Sequence, residues 1–525
     1  MLNEVATSKV SAGPPVVSGE GWSEISPLAP IEVPAETGFR MGNSDRTSKA
    51  AFAGHLVIFG VANLAALAAN GVLTFLLPRL LTVENYGLYR IFILYGGFTG
   101  IFHLGLLDGA LIRWSARPQE LPLELSPMTA FLLVQQCVLL PLGLFALWLV
   151  SGGAHWIWLA LAVTVYALVW NWATLSQCAL QAAKQFGWLS FFTLVNPVVL
   201  LLTVLALHWA RRLTLDALII AFILSWFASG VGSWVFLRKR FAIPVLPPRR
   251  IWDVGIGSLR LGWGVLLANC FTSLAIALDR VFVSSVFPIR KFAIYGFAAN
   301  ALAVINTLIL SMARVVFPYL SDGVSAETRT RAYAWGEAAL VGLWAMSLAG
   351  YFPLRALIVR LLPAYSSSLP ILRVLMLTTG LTGAIYILHA NYFRCHLRQG
   401  RMLLGATLGL TAAALFLSVA LRTGRLENMA WAMLGSALLW WLADELLLRD
   451  LTGRGVWPAV RTLLVGAACG AWFLACANGN SWRFGLLAYC SVAGALVLLA
   501  YRSSFNALWR QGFPSGRRLS LSSSQ

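Results

Sequence analysis

The chain has 525 residues, of which 59% are hydrophobic and only 11% are charged. A water-soluble domain of this length needs far more charged surface, so the composition excludes a soluble globular protein and indicates a membrane protein. In a soluble protein the formal net charge of +19 would suggest a nucleic-acid partner. Here the basic residues lie in short segments between apolar runs, which is how membrane topology is encoded. We therefore expect no nucleic-acid partner.

The first 50 residues differ in composition from the rest of the chain. The stretch SAGPPVVSGEGWSEISPLAPIEVPAETG is rich in Pro, Ser, Gly and Glu and contains no apolar run. Such a composition is typical of disorder. The basic start and adjacent apolar stretch of a secretory signal are missing. We predict that residues 1–50 form a disordered cytosolic tail.

The seven cysteines form no CxxC pair and lie almost all inside apolar runs. Cysteines in such surroundings usually behave as small buried hydrophobic residues, not as metal ligands. We expect no metal site and no cofactor.

The apolar runs predict an all-α polytopic membrane protein. A spanning helix needs about 20 mostly apolar residues, and the chain contains about fourteen such segments. Their predicted limits are 54–78, 88–111, 128–150, 156–178, 188–208, 214–236, 260–282, 293–317, 334–352, 371–392, 402–421, 428–448, 459–477 and 484–501. The connections are too short to fold as separate domains.

The distribution of Lys and Arg predicts the orientation of the spans. The tail before span one, the connections from even to odd spans and the C-terminus carry nearly twice as many basic residues as the opposite side. Both termini are therefore expected in the cytosol.

A repeat relates the two halves of the chain. Arg79 and Arg280 each lie at the outer end of a helix, and each is followed by a Tyr-Gly pair, Tyr86-Gly87 or Tyr295-Gly296, at the start of the next helix. A unit of six spans is even, so the two copies would be parallel repeats around a central cleft. We predict six-helix bundles at 51–240 and 258–450, with a basic cytosolic linker at 241–257. Two additional spans at 451–503 and a cytosolic tail at 504–525 would follow.

Several segments together resemble a known family. They are LLPRLLTVENYGLYR, GGFTGIFHLGLLDGALIRW, LDRVFVSSVFPIRKFAIYGFA and LLPAYSSSLPILRVLMLTTG. In this order they are similar to the polysaccharide-transporter branch of the multidrug/oligosaccharidyl-lipid/polysaccharide exporter superfamily. The resemblance covers about residues 54–450 and implies two bundles in a V, alternating access and no covalent chemistry. Its members flip undecaprenyl-diphosphate-linked oligosaccharides across the bacterial inner membrane.

The resemblance implies a lipid-linked oligosaccharide substrate, surrounding membrane lipids, a proton or sodium gradient as the energy source and association with a polysaccharide polymerase. A diphosphate and a row of sugars cannot cross hydrocarbon alone, because each buried charge or unpaired hydroxyl costs kilocalories. A suitable cleft would be cationic near the phosphates and lined with amides or aromatic rings near the sugars.

Four arginines are candidates for binding the diphosphate: Arg79, Arg113, Arg280 and Arg314. Arg314 is the basic residue placed within a span, where it would either snorkel to the cytosolic surface or present its guanidinium fork to a diphosphate. Arg280 and its repeat partner Arg79 would act as interfacial anchors or substrate contacts. Because adjacent helical residues point about 100° apart, we expect Asp279 and Arg280 to face different partners.

Two carboxylates are candidates for binding the coupling ion, namely Asp108 and Asp279. Asp108 lies within span two, where a carboxylate would bind a proton or sodium ion or would pair with Arg113. His103 and His389 would relay protons or only form hydrogen bonds.

Amide side chains within the spans would either join neighbouring helices or line a sugar pathway. The candidates for the pathway are Asn171, Gln177, Asn269, Asn300 and Asn306.

Two alternatives remain open from the sequence. A multidrug or cation antiporter of the same superfamily would favour acidic residues in its cleft, whereas the basic excess here favours an anionic substrate. A membrane polymerase or glycosyltransferase would generally carry a sizeable outer loop with catalytic residues, and no outer loop is long enough. No GxxxxGK[ST] motif occurs, so ATP is not expected to drive the cycle.

Overall fold

The computed structural model of the chain describes residues 49–151, 157–241, 248–321, 326–396, 398–479 and 481–502. The two predicted tails, 1–50 and 504–525, lie almost entirely outside the described residues. All regular elements in the described part are helical, as the apolar pattern predicts.

The helices of the N-terminal half follow the predicted spans closely. They are α1 (Lys49–Leu80), α2 (Val83–Gly96), α3 (Leu106–Ala116), α4 (Leu121–Ser151), α5 (Ile157–Ala182), α6 (Phe186–Trp209) and α7 (Leu215–Arg240). Threonine hydroxyls cap two of them, because Thr82 accepts a hydrogen bond from the Asn85 amide and Thr214 from the Ala217 amide.

The C-terminal half continues the same pattern. Its helices are α8 (Pro248–Val286), α9 (Ile289–Ser321), α10 (Ala326–Ala349), α11 (Tyr351–Leu361), α12 (Leu369–Gly383), α13 (Ala390–Cys395), α14 (Gln399–Leu421), α15 (Leu426–Thr452), α16 (Trp457–Ala477) and α17 (Trp482–Ala500). A π-helical turn, Ala384–His389, joins α12 to α13. Helix α8 begins at Pro248, so the second part of the predicted linker is helical.

Within the described residues, eleven helices are long and apolar enough to cross a membrane, and a bent pair makes a twelfth. The protein is therefore a multi-pass membrane protein. The predicted total of fourteen spans stays a prediction, since the count of eleven or twelve covers the described residues alone.

The second span is broken rather than continuous. Its two parts, Val83–His103 and Leu106–Ala116, meet at an angle of 59°. Leu104 and Gly105 at the break have φ values of 48° and 88°, and the Gly105 amide donates a 3.1 Å hydrogen bond to His103 Nδ1. Glycine favours the left-handed region because it has no Cβ. The ring of His103 thus binds a backbone group that the break would otherwise leave unpaired.

The helix packing repeats with a shift of six spans. In the N-terminal half α5 packs on α7, α6 on α7, and α3 on α5. The corresponding pairs in the C-terminal half also pack, namely α12 on α15, α14 on α15, and α9 on α12. Helices α16 and α17 pack on each other and on α10, outside this scheme. The packing therefore supports two related six-span units with two appended helices.

The two units contact each other at both ends of the bent span. Near one end, α2 packs on α9, where Gly87 lies against Ile289. Near the other end, α3 packs on α8 so closely that a Cβ atom on Gly109 would lie 1.8 Å from the Ser258 carbonyl oxygen. Only residues without a bulky side chain permit such an approach of two backbones. The structure is thus closed between α3 and α8 as well as between α2 and α9.

Candidate functional site

A cavity of about 270 Å³ lies inside the C-terminal unit, among α8, α9, α12, the π-helical turn, α14 and α15. The sequence predicts a cleft between the two units, whereas this cavity lies within one of them. The reason is that α2 and α3 close the interface against α9 and α8. Polar residues along the cavity are Asp279, Arg280, Asn306, Thr378, Thr382, Tyr386 and Ser436.

Asp279 and Arg280 form the charged part of this cavity. The Arg280 Nε atom lies 3.4 Å from Asp279 Oδ1, and the Arg280 backbone amide donates to the same oxygen at 2.7 Å. Tyr295 donates a 2.6 Å hydrogen bond to Asp279 Oδ2. The two neighbours therefore contact each other, which the sequence analysis does not predict, while each also has a partner of its own. The arginine side chain folds back along its own helix, where its Nη2 donates to the Ile276 carbonyl at 2.9 Å.

This arrangement separates the roles of the two residues. Asp279 lines the cavity but is only 3% exposed, and three donors already occupy its oxygens. Arg280 is half-buried, and among the described residues no group accepts a hydrogen bond from its Nη1. The geometry thus leaves the Nη1 amino group, with its two N–H donors, for an anionic guest. A free cation site at Asp279 would first require Tyr295 or Arg280 to move.

The other candidate arginines lie in different surroundings. Arg79 is exposed on the last turn of α1. Arg113 forms a short ion pair with Glu124, a residue only 2% exposed, and lies 3.5 Å from Glu120. Arg113 therefore pairs with α4 and its preceding turn, and not with Asp108. Arg314 lies on α9, but its side chain is outside the described residues, and its role stays a prediction.

Asp108 lies half-buried on α3, facing α8. Asn269 donates to its Oδ1 over a long distance of 3.5 Å. The amide is exposed, so this pair joins the two units without being enclosed by them. Asp108 therefore has unused acceptor capacity, which its predicted role in ion coupling requires.

Three of the amides predicted for a sugar pathway join helices. Asn171, fully buried on α5, donates to Gln136 Oε1 at 3.1 Å and to the Thr99 carbonyl at 3.3 Å. Gln177 donates to Ser229 on α7 at 3.5 Å. Asn300 donates to Thr74 on α1 at 3.0 Å and thereby connects the two units.

The remaining two amides differ from these. Asn306 is half-buried and lines the cavity, while Asn269 contacts Asp108. The candidates thus do not form one continuous row in this structure. Their role in sugar passage stays a prediction.

A buried polar cluster surrounds His389. The sequence indicates His389 as a proton relay or a hydrogen-bonding residue but does not predict its partners. The imidazole is fully buried and lies between Asp444 Oδ2, at 3.3 Å, and Glu445 Oε1, at 3.1 Å. Tyr333 donates a 2.7 Å hydrogen bond to the same Glu445 oxygen. The adjacent acidic pair in WWLADELLL was the available signal, because two carboxylates inside an apolar helix require a partner. The described residues hold no group of three or more side chains arranged for a metal ion.

Comparison with known proteins identifies the family of the chain. The profile of the family described as "Polysaccharide biosynthesis protein" matches residues 53–324, more than half of the sequence. The chain belongs to this family. No curated protein sequence matches it.

Two solved structures share the fold of this chain. The lipid II flippase MurJ, in an inward closed conformation, superposes with a TM-score of 0.63 at 12% identity, covering 86% of this chain and 100% of its own. An inward-facing multidrug resistance MATE transporter of the MOP superfamily superposes with a TM-score of 0.57 at 13% identity, covering 76% of this chain and 99% of its own. At such low identity these likenesses establish the fold, which is that of MOP-superfamily transporters.

Proposed function

We propose that the protein is a flippase that moves undecaprenyl-diphosphate-linked oligosaccharide from the cytosolic to the outer leaflet of the bacterial inner membrane. The observation that carries the proposal is membership of the polysaccharide biosynthesis family by a chain with a MOP transporter fold. One structural neighbour is a lipid II flippase, which agrees with a lipid-linked substrate.

The free hydrogen-bond donors of the cavity favour an anionic head group over a cationic drug. Asp279 is saturated by Tyr295 and Arg280, whereas the Nη1 amino group of Arg280 is directed to no described acceptor. A guanidinium binds a phosphate oxygen with charge-assisted hydrogen bonds, which are stronger than neutral ones. Arg280 therefore would contact the diphosphate, with Arg314, Arg113 and Arg79 as the other candidates from the sequence.

The size of the cavity requires a change of conformation. At about 270 Å³ it is smaller than the pockets of about 300–1,000 Å³ that hold drug-sized ligands. An oligosaccharide would enter only after α3 and α8 separate, and would leave only after α2 and α9 separate. Alternating opening at these two contacts is the motion we assign to transport.

An ion gradient would supply the energy, with Asp108 and Asp279 as the sequence candidates for the coupling site. Asp108 is the better placed of the two because, among the described residues, Asn269 is the one side chain that donates to it, over a long distance of 3.5 Å. The cytosolic termini and association with a polysaccharide polymerase belong to the same proposal.

The proposal is tested by deleting the gene in its host and following lipid-linked oligosaccharide with leaflet-resolved extraction and surface glycan labelling. We expect complete repeat units to accumulate on the cytosolic leaflet while surface polysaccharide is lost. Normal surface glycan would contradict the proposal and favour transport of drugs or ions. Unpolymerised units already on the outer leaflet would instead favour a membrane polymerase.

A second assay tests the same step with purified protein. Full-length protein in liposomes would receive a fluorescent polyprenyl-diphosphate oligosaccharide, and an impermeant quencher would report the fraction in the outer leaflet. Protein-dependent exchange is expected, and absence of exchange with the gradient imposed would contradict a flippase.

A further inference from the structure

We propose that His389, Asp444 and Glu445 together form a proton-binding site that takes up and releases a proton as the transporter opens and closes. This inference rests on the alternating transport of the proposed function, but not on the nature of its substrate.

The hydrogen-bond geometry requires an extra proton in the cluster. Both ring nitrogens of His389 face carboxylate oxygens, Nδ1 toward Asp444 Oδ2 and Nε2 toward Glu445 Oε1. A neutral imidazole has only one N–H donor, so its other nitrogen would face an oxygen lone pair. Both contacts are satisfied only when the ring carries a second proton or when one carboxylate is protonated. The site therefore holds one exchangeable proton in this conformation.

The cluster also has capacity for a further proton. Asp444 is 3% exposed, and its Oδ1 atom makes no hydrogen bond in the described structure. With His389 charged and both carboxylates ionised, the cluster would carry a net negative charge. An uncompensated charge inside a low-dielectric bundle is unfavourable. Proton uptake at the unpaired Asp444 oxygen would neutralise the cluster.

Among the charged groups around the cluster, Arg454 attracts Glu445, but Arg454 is already paired with the carboxylate of Glu337. On α10, Tyr333 donates to Glu445, and Glu337 pairs with Arg454 at 2.6 Å. On α14, Arg401 pairs with Asp450 at 2.6 Å. On α13, Arg394 is exposed, while His396 Nδ1 lies 2.9 Å from the Tyr392 carbonyl oxygen of its own helix. The side chain of Arg314 on α9 lies outside the described residues.

The backbone indicates that this position is specialised. His389 is the last residue of the π-helical turn that interrupts the span formed by α12 and α13. Single π-helical turns are rare and are often found at functional sites. One turn earlier, Tyr386 lines the cavity, and so does Trp440, one turn before Asp444. The Tyr386 and Trp440 rings, 6.5 Å apart between centroids, therefore lie next to both the cavity and the cluster.

Glu445 provides the route for the proton. Its side chain is 17% exposed, whereas His389 is fully buried and Asp444 nearly so. The cluster lies toward the ends of α13 and α15, which the distribution of basic residues predicts to be cytosolic. Of the three residues, Glu445 is therefore the one that water reaches first. A proton held more firmly in the closed state than in the open state would make opening depend on pH.

Spin-label distances test this dependence without any substrate. Labels on Ser115→Cys and Gly400→Cys, in a cysteine-free background, would report the separation of the two units at their predicted cytosolic ends. Ser115 is exposed, and the space around Gly400 is open. We expect the populations of closed and open distances to change between about pH 5 and pH 8.

Three isosteric substitutions make the test specific. Asp444→Asn and Glu445→Gln should abolish the pH-dependent change, whereas Asp450→Asn, which alters an exposed carboxylate on the same helix, should retain it. The elution profile and thermal unfolding would verify that each variant is folded. If one of the two carboxylate variants does not fold, His389→Gln replaces it as a variant of the cluster.

The proposal is overturned if the cluster variants respond to pH as Asp450→Asn does, or if the wild-type distances do not respond. Either result would leave the flippase function intact, because no oligosaccharide enters the measurement. Conversely, the cluster variants could lose the pH response while wild-type protein fails to exchange oligosaccharide. This result would support the proton-binding site and contradict the proposed oligosaccharide substrate.

Discussion

Tyr295 donates a 2.6 Å hydrogen bond to Asp279, the residue that precedes the cavity arginine, Arg280. Tyr295 is fully buried on α9 and Asp279 is 3% exposed on α8. The tyrosine of the repeated Arg and Tyr-Gly pattern thus fixes the carboxylate that positions the guanidinium. In the C-terminal unit, the tyrosine of the repeat therefore forms a hydrogen bond that the sequence pattern alone does not predict.

Tyr295→Phe should destabilise the protein, because one oxygen of a buried carboxylate loses its donor. Such a loss typically costs about 1–3 kcal/mol. Thermal unfolding of the detergent-purified protein is the measurement. Tyr95→Phe is the matched control, since Tyr95 is exposed and its hydroxyl lies 3.2 Å from that of Ser284, also on α8. Equal midpoints for the two variants would show that the bond to Asp279 is energetically unimportant.

Arg280→Ala should slow oligosaccharide exchange in liposomes by about tenfold or more, the equivalent of losing one charge-assisted hydrogen bond of about 1.5–3 kcal/mol. Arg280→Lys should recover only part of the rate, because lysine lacks the planar fork. Arg422→Ala is the control, because Arg422 is exposed at the end of α14 and does not line the cavity.

The double variant Asp279→Asn/Arg280→Ala distinguishes substrate binding from stability. It removes the carboxylate that the single arginine variant leaves without its partner. If the double variant restored exchange, Arg280 would only balance the charge of Asp279 and would not bind the diphosphate.

The sequence predicts the helices well because the apolar runs are long and the connections short. The break in the second span is harder to predict, although GFTGIFHLG contains its causes. Helix interruption there depends on Gly105 adopting a left-handed conformation and on the His103 ring binding the freed amide, a local bond that hydropathy does not report. Gly105 permits the bend by its left-handed conformation, and Gly109 permits the close packing of α3 on α8.

The candidate site is less predictable than the fold. Arg113 on α3 pairs with Glu124 on α4, and residue spacing within one helix does not predict such a pair. The contacts of His389 with Asp444 and Glu445 on α15 also join different helices. Asp279 and Arg280 interact although they are adjacent in the helix, because a flexible arginine can fold back toward its neighbour. Long side chains and contacts between distant spans decide these pairs, and neither is encoded in local periodicity.

Gly109→Ala should weaken the closed contact between α3 and α8. A Cβ atom at this position would lie 1.8 Å from a backbone oxygen, so the two helices would have to separate. The spin labels at Ser115 and Gly400 should then show a larger open population. Gly264→Ala on α8 is the matched control, because nothing lies within 4 Å of its added methyl group. An unchanged distance distribution in Gly109→Ala would contradict the assignment of this contact as the closing surface.

Asp108→Asn should flatten the dependence of oligosaccharide exchange on a proton or sodium gradient if this carboxylate binds the coupling ion. The substitution keeps the shape of the side chain but removes the charge that would attract a cation. Exchange would be measured in liposomes with each gradient imposed separately, and Asp253→Asn serves as the control because Asp253 is an exposed carboxylate on α8. An unchanged dependence would exclude Asp108 as the coupling site. If Glu445→Gln flattened the proton dependence in the same experiment, the buried cluster at His389 would be the site of coupling.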